Sequence, residues 1–144
     1  PWWTTDIGGF HSGYPDHEDF RELLVRWFQW GTFCPVFRLH GDRLPYQQPA
    51  VPVRNGIQQF GSGYNNELWS FGDKAYPVLA EHLHLRERLR PYIRGLMKAA
   101  HEKGTPVMRP LFYDFPADAA AWNEETAYLF GPDLLVAPIL EADQ

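Results

Sequence analysis

The sequence predicts an α/β fold followed by the start of a β-rich unit, and three observations predict it. An aromatic, threonine-containing stretch at residues 2–7, an amphipathic pattern at 17–30 and an apolar stretch at 33–41 give the order strand, helix, strand. A second long helical pattern runs from Asp73 to Gly104. After Thr105 the helical period gives way to short apolar runs of strand character.

The first stretch, Trp2-Trp3-Thr4-Thr5-Asp6-Ile7-Gly8-Gly9-Phe10, reads as a strand delivering a carboxylate into a glycine turn. Alternation along a strand puts Trp2, Thr4 and Asp6 on one face, an aromatic wall ending in an acid. That wall suits a sugar or a cation, and an Asp that merely caps the turn is the alternative. Next, Asp16 and Asp19 have the spacing of a capping box variant. Phe20, Leu23, Leu24, Trp27 and Phe28 then repeat at helical spacing, and Gly31 is placed to end the helix.

Phe33 to Gly41 reads as a second strand, apolar enough to be covered on both sides in a parallel sheet. Ligands in such units gather beyond the carboxyl ends of the strands, where Asp6 ends the first and His40 the second. Val36, Arg38 and His40 share a face, so a buried Arg38 needs a counter-charge, and Asp6 is the candidate. His40 is read as a ligand contact, with a satisfied structural histidine as the alternative. Residues 41–66 lack periodicity and read as a long loop over the site, stiffened by Pro45, Pro49 and Pro52, from which Tyr46, Phe60 and Tyr64 can reach a ligand. A surface insertion is the competing view.

Asp73 is a candidate cap for the next helix, Pro91 a kink in it and Gly104 its stop. Arg86, Arg88, Arg90 and Arg94 read as a solvated or salt-bridged face. In the tail, residues 107–113 and 134–140 read as strands, separated by an acidic, alanine-rich turn of helix at 117–130.

Composition narrows the function classes. Thirteen basic and eighteen acidic residues give a net charge of -5 with no long basic cluster, which excludes nucleic acid as the expected partner. No apolar run approaches the roughly 20 residues of a membrane span, so no membrane partner is expected. The single Cys34 cannot form an intrachain disulfide and reads as a buried, inert thiol. His11, His17, His82, His84 and His101 have no metal-ligand company and read as ordinary surface or packing residues, so neither metal nor cofactor is expected. The chain starts and stops in or beside apolar runs, which reads as a fragment. The compartment is left open, with the cytoplasm favoured.

Four segments carry a resemblance to a known family: Trp3 to Phe10, Arg26 to Gly41, Leu85 to Tyr92, and Gly104 to Pro116 with Phe130 to Pro138. In order, they resemble the C-terminal part of the catalytic domain of glycoside hydrolase family 31, the α-glucosidases and α-xylosidases. The resemblance implies that residues 1–104 are the last two βα units of a (β/α)8 TIM barrel and that 105–144 start a β-sandwich domain. It also implies a retaining α-glycosidase whose aspartate nucleophile and acid/base both precede Trp2, so that no catalytic residue is expected in this chain. His40 matches a histidine that hydrogen-bonds sugar hydroxyls, Phe10 an aromatic lining the same subsite, and Asp6 its buried carboxylate, with Arg38 in support. The implied partner is an α-linked oligosaccharide, and a homo-oligomer of the full-length enzyme is left open. A non-catalytic carbohydrate-binding module is the alternative from a different class.

Overall fold

The computed structural model describes residues 2–48, 51–58 and 62–141. Helix α1 spans Glu18–Gly31 and buries Leu24 and Phe28, while Leu23 of the expected stripe stays exposed. Its N-cap is His17 with no side-chain capping bond, so Asp16 does not cap it. The acids Glu18 and Asp19 instead occupy the first turn, where the helix dipole favours negative charge. At the other end Thr32 Oγ1 donates to the Phe28 carbonyl at 2.9 Å.

The two flanking stretches lie parallel, as the strand, helix, strand order predicts, but they form no extended ladder. Val36 N donates to the Trp3 carbonyl at 3.1 Å and Ile7 N to the Arg38 carbonyl at 3.2 Å, with a single parallel bridge between Ile7 and Leu39. A strand needs a run of consecutive bridges to a neighbour, and these two stretches make one. Their alternation nonetheless holds: Ile7 is buried, and Phe37 and Leu39 pack on the same core, whereas Val36, Arg38 and His40 face outward. Trp27 Nε1 donates to Thr5 Oγ1 at 2.7 Å and ties α1 to the first stretch.

Residues 41–66 are not a featureless loop. Strand β1 (Arg43–Gln47) pairs antiparallel with β4 (Ser62–Tyr64), and β2 (Val53–Arg54) with β3 (Ile57–Gln58). Between β2 and β3, Asn55 and Gly56 both take positive φ, the pairing of a tight hairpin. Of the residues expected to stiffen or line this segment, Pro49 and Phe60 lie outside the described residues. Tyr46 and Tyr64 are exposed.

The long helical pattern divides into α2 (Gly72–Arg88) and α3 (Arg90–Lys103), which meet at Leu89. Pro91 sits in the first turn of α3, where its missing N–H costs nothing, so it marks a helix start and not a kink within one. Phe71, not Asp73, is the N-cap of α2. Ala75 and Leu79 of α2 complete a core with Ile7, Leu24, Phe28 and Phe71. The arginine face is only partly solvated. Arg88, Arg90 and Arg94 are exposed, but Arg86 turns inward and donates to the carbonyls of Thr32 at 2.7 Å, Cys34 at 2.6 Å and Pro35 at 2.9 Å. It thereby satisfies acceptors that the end of α1 leaves without partners.

The tail is a three-stranded antiparallel sheet of β5 (Met108–Pro110), β6 (Tyr128–Phe130) and β7 (Leu134–Val136). The expected strand at 107–113 therefore breaks into helix α4 (Leu111–Asp114), and the expected helical turn at 117–130 resolves into α5 (Ala119–Asn123) and the central strand. Val107, Phe130 and Val136 pack on Ile93 and Leu96 of α3. The sheet and α3 thus share one core, the second of the molecule.

Cys34 is buried beside Arg86, and burial pushes its thiol from 9.0 up to about 12 although Arg86 pulls the other way. The unfolded thiol ionises near its ordinary value while the native one stays protonated. Stability is therefore complete below about pH 9 and falls as pH rises from there toward about 12. Native protein should leave Cys34 unmodified by a disulfide reagent at about pH 8, and denatured protein should react at once. Rapid native labelling would contradict that burial.

Candidate functional site

The outward face of the two parallel stretches gathers the residues that the sequence singled out. Arg38 Nη2 donates to Asp6 Oδ1, so the expected pair forms. It is not the fully buried pair expected: the Asp6 side chain is 22% exposed and that of Arg38 49%. The Gly8-Gly9 turn is closed by the backbone, Gly9 N donating to the Asp6 carbonyl at 2.7 Å, which leaves the Asp6 carboxylate to its arginine. Four residues beyond Asp6 and two beyond Arg38, Phe10 and His40 come together with ring centroids 5.5 Å apart and planes inclined by 36°. No described residue hydrogen-bonds the His40 ring, so its nitrogens are open to a ligand. An acid, a base, an aromatic face and an imidazole thus converge where the two stretches end.

Two further residues join this rim. His11, which the sequence marks as an ordinary histidine, stands edge-on to Phe10 with centroids 4.4 Å apart, and its Nδ1 lies 3.3 Å from Asp42 Oδ2. The signal for it was its position immediately after Phe10, on the same loop as Asp6. Both side chains of this pair are well exposed, so the pair itself adds little stability.

Arg43, wholly unanticipated, is the largest fully buried side chain among the described residues. Its Nη1 donates to the carbonyls of Gly9 at 2.9 Å, Ser12 at 3.0 Å and Asp42 at 2.8 Å. Its Nη2 donates to those of Ile7 and His40, each at 3.2 Å, and its Nε to Asn66 Oδ1 at 3.0 Å. Burial lowers the guanidinium pKa and Asp42 opposes that shift. The Phe20 ring covers the guanidinium with its centroid 5.3 Å from Cζ.

Elsewhere, an apolar groove of about 360 Å³ between α1 and residues 138–140 is lined by Leu23, Trp27, Trp30 and Ile139, and shares no residue with the Asp6–His40 cluster. Among the described residues no group of three metal-ligating side chains converges, and no helix is long and apolar enough to cross a membrane. The cluster is suited to noncovalent recognition of a polyhydroxylated ring: an aromatic face for its C–H groups, and imidazole, carboxylate and guanidinium for its hydroxyls.

Comparison with known proteins identifies the family of the chain. Residues 1–96 match the family model described as the glycosyl hydrolases family 31 TIM-barrel domain, and residues 104–144 match the glycosyl hydrolase family 31 C-terminal domain. The chain is 37% identical over 139 residues to an α-xylosidase of Saccharolobus solfataricus, covering 96% of this chain and 16% of that protein. It is 36% identical over 135 residues to α-glucosidase 2 of Bacillus thermoamyloliquefaciens, covering 94% of this chain and 14% of that protein. Among solved structures, a family 31 α-xylosidase from a soil metagenome, crystallised with xylose, superposes with a TM-score of 0.94 at 60% identity. That match covers all of this chain and 21% of the neighbour's. The chain thus spans about a sixth of the first of these relatives. Its matched segments, in order and over nearly its whole length, make it a member of glycoside hydrolase family 31, part in the TIM-barrel domain and part in the C-terminal domain.

Proposed function

We propose that this chain forms one side of the substrate pocket of a retaining α-glycosidase that removes terminal α-xylosyl or α-glucosyl units from α-linked oligosaccharides. The observation that carries this reading is the convergence of Asp6, Phe10 and His40 at the ends of two parallel stretches, with the His40 ring nitrogens unengaged by any described residue. In a barrel such ends line the active site. Residues 1–104 are the last two βα units of the barrel and 105–144 start a β-sandwich domain. The ranges of the two family models and the end of α3 at Gly104 support this division.

The chemistry assigns the residues distinct tasks. A retaining glycosidase places its two catalytic carboxyls about 5 to 5.5 Å apart across the bond it breaks. Asp6 is held by Arg38, which commits it to the pocket wall and not to attack. The nucleophile and acid/base belong to other parts of the complete enzyme. His40 donates to a ring hydroxyl and Phe10 lies against the sugar's apolar face. Such contacts strengthen as the ring flattens toward the oxocarbenium-like transition state.

Similarity at 60% identity to an enzyme crystallised with xylose makes the α-xyloside the favoured substrate. The test is hydrolysis of p-nitrophenyl α-xyloside and α-glucoside by the complete enzyme and by the isolated 144-residue chain. The complete enzyme is expected to cleave the xyloside faster and the isolated chain to cleave neither. Turnover by the isolated chain that is lost in Asp6→Asn or Asp42→Asn would place the catalytic carboxylates here and overturn this assignment.

A further inference from the structure

We propose that Arg43 is a positioning residue of the sugar pocket, a buried guanidinium that clamps the loop carrying Asp6 and Phe10 to the loop carrying His40. This inference rests on the reading of those three residues as a pocket wall. Its five carbonyl partners fall into two sets, Ile7, Gly9 and Ser12 on the first loop and His40 and Asp42 on the second. Every partner is within two residues of Phe10, Asp6 or His40 in sequence. Two backbone bonds, Asp42 N to the Phe10 carbonyl at 2.9 Å and Leu44 N to the Gly13 carbonyl at 2.8 Å, join the same loops but cannot set their angle alone.

The planar fork can do so because its donors point in fixed directions. Asn66 holds Nε from the far side and returns its own Nδ2 to the Gly41 carbonyl at 3.2 Å, so β4 and the segment after it also anchor the clamp. Gly8 leaves the space that Nη2 occupies, since a Cβ there would run into it. No carboxylate contacts the guanidinium among the described residues, so backbone dipoles that it orders face its charge, with Asp42 attracting it from beyond contact. The separation of Phe10 from His40 is therefore a consequence of Arg43, although Arg43 has no surface on which a sugar could rest. A lysine in its place offers three donors from one atom, too few and too narrowly placed to hold all five carbonyls and Asn66 at once.

The experiment is a double-mutant cycle in the complete enzyme, with p-nitrophenyl α-xyloside and α-glucoside as substrates and Arg43→Lys, His40→Ala and the double variant compared. Arg43→Lys is expected to lower kcat/KM by about 10- to 100-fold, the scale of a misplacement of about 1 Å in a pocket. If Arg43 acts through His40, the double variant loses much less than the product of the two single losses. In Arg43→Ala, added guanidinium ion should restore part of the activity, and methylammonium should not. Wild-type kcat/KM in Arg43→Lys, or fully multiplicative losses, would overturn the proposal. Should both Arg43 variants fail to fold, Asn66→Ala, which keeps the guanidinium but frees Nε, must show the same less-than-multiplicative loss when combined with His40→Ala, and unchanged kcat/KM there would overturn it equally. Wild-type activity in His40→Ala would instead defeat the pocket reading itself, a result distinct from any failure of the clamp.

Discussion

Replacing His40 by alanine in the complete enzyme is expected to lower kcat/KM by roughly 30- to 900-fold, the loss of about 2 to 4 kcal/mol of transition-state binding that one well-placed hydrogen-bond donor supplies. The expectation follows from what surrounds the ring. His40 is exposed, touches Phe10 and is hydrogen-bonded by no described residue, so deleting it removes little packing. A structural histidine would behave differently: its loss would show first in stability. The measurement is kcat and KM for the α-xyloside alongside the melting temperature. A melting temperature within a few degrees of wild type with a fall chiefly in kcat assigns the contact to the transition state. Near-normal kcat/KM would remove His40 from the pocket.

The parts of this molecule that were legible in the sequence are those set by one chain segment at a time. The spacing of Phe20, Leu24 and Phe28 located α1 to within a residue because helical periodicity needs no partner. Period-two alternation correctly put Arg38 and His40 on one face and linked Arg38 with Asp6. It could not say how far that face is exposed, since alternation fixes which residues share a side and not what covers it. The strands at 2–7 and 33–41 fared less well for the same reason, a ladder being a property of neighbours.

Buried arginines were the least legible. Arg86 looked like one of four alternating charges on a helix, yet it caps the far end of α1 through carbonyls more than fifty positions away in sequence. Arg43 satisfies acceptors spread over residues 7–42, none of which has a side chain that advertises the need. Both are backbone-satisfying residues, and a pattern of side chains is blind to backbone carbonyls. One local signal was available and overlooked: Asn55-Gly56 between two β-compatible pairs is a strong hairpin marker inside the segment read as a loop. Tyr128 to Phe130, by contrast, is a three-residue apolar run, too short for periodicity to distinguish strand from helix.

Gly41→Ala should impair the enzyme nearly as severely as loss of His40, by a different route. Gly41 directly follows His40 with φ at +120°, where an alanine costs about 1 to 3 kcal/mol in backbone strain alone. A Cβ there would also collide with the carbonyl oxygens of Gly9 and Phe10, so the backbone has to move. The movement separates Phe10 from His40 and pulls on the Asn66 bond to the Gly41 carbonyl. A shift of about 1 Å between groups that must contact one sugar ring lowers kcat/KM by up to about 100-fold. Gly56→Ala is the matching control, because Gly56 also has positive φ but a Cβ there meets nothing within 4 Å. Strain without collision should cost that variant stability and leave kcat/KM intact. If the two variants lose stability alike and neither loses activity, the close approach of Gly41 to the Phe10 loop does not govern the pocket. If only Gly41→Ala loses activity, the spacing of the two loops is what the sugar reads, and a glycine with no side chain is as necessary to binding as the imidazole beside it.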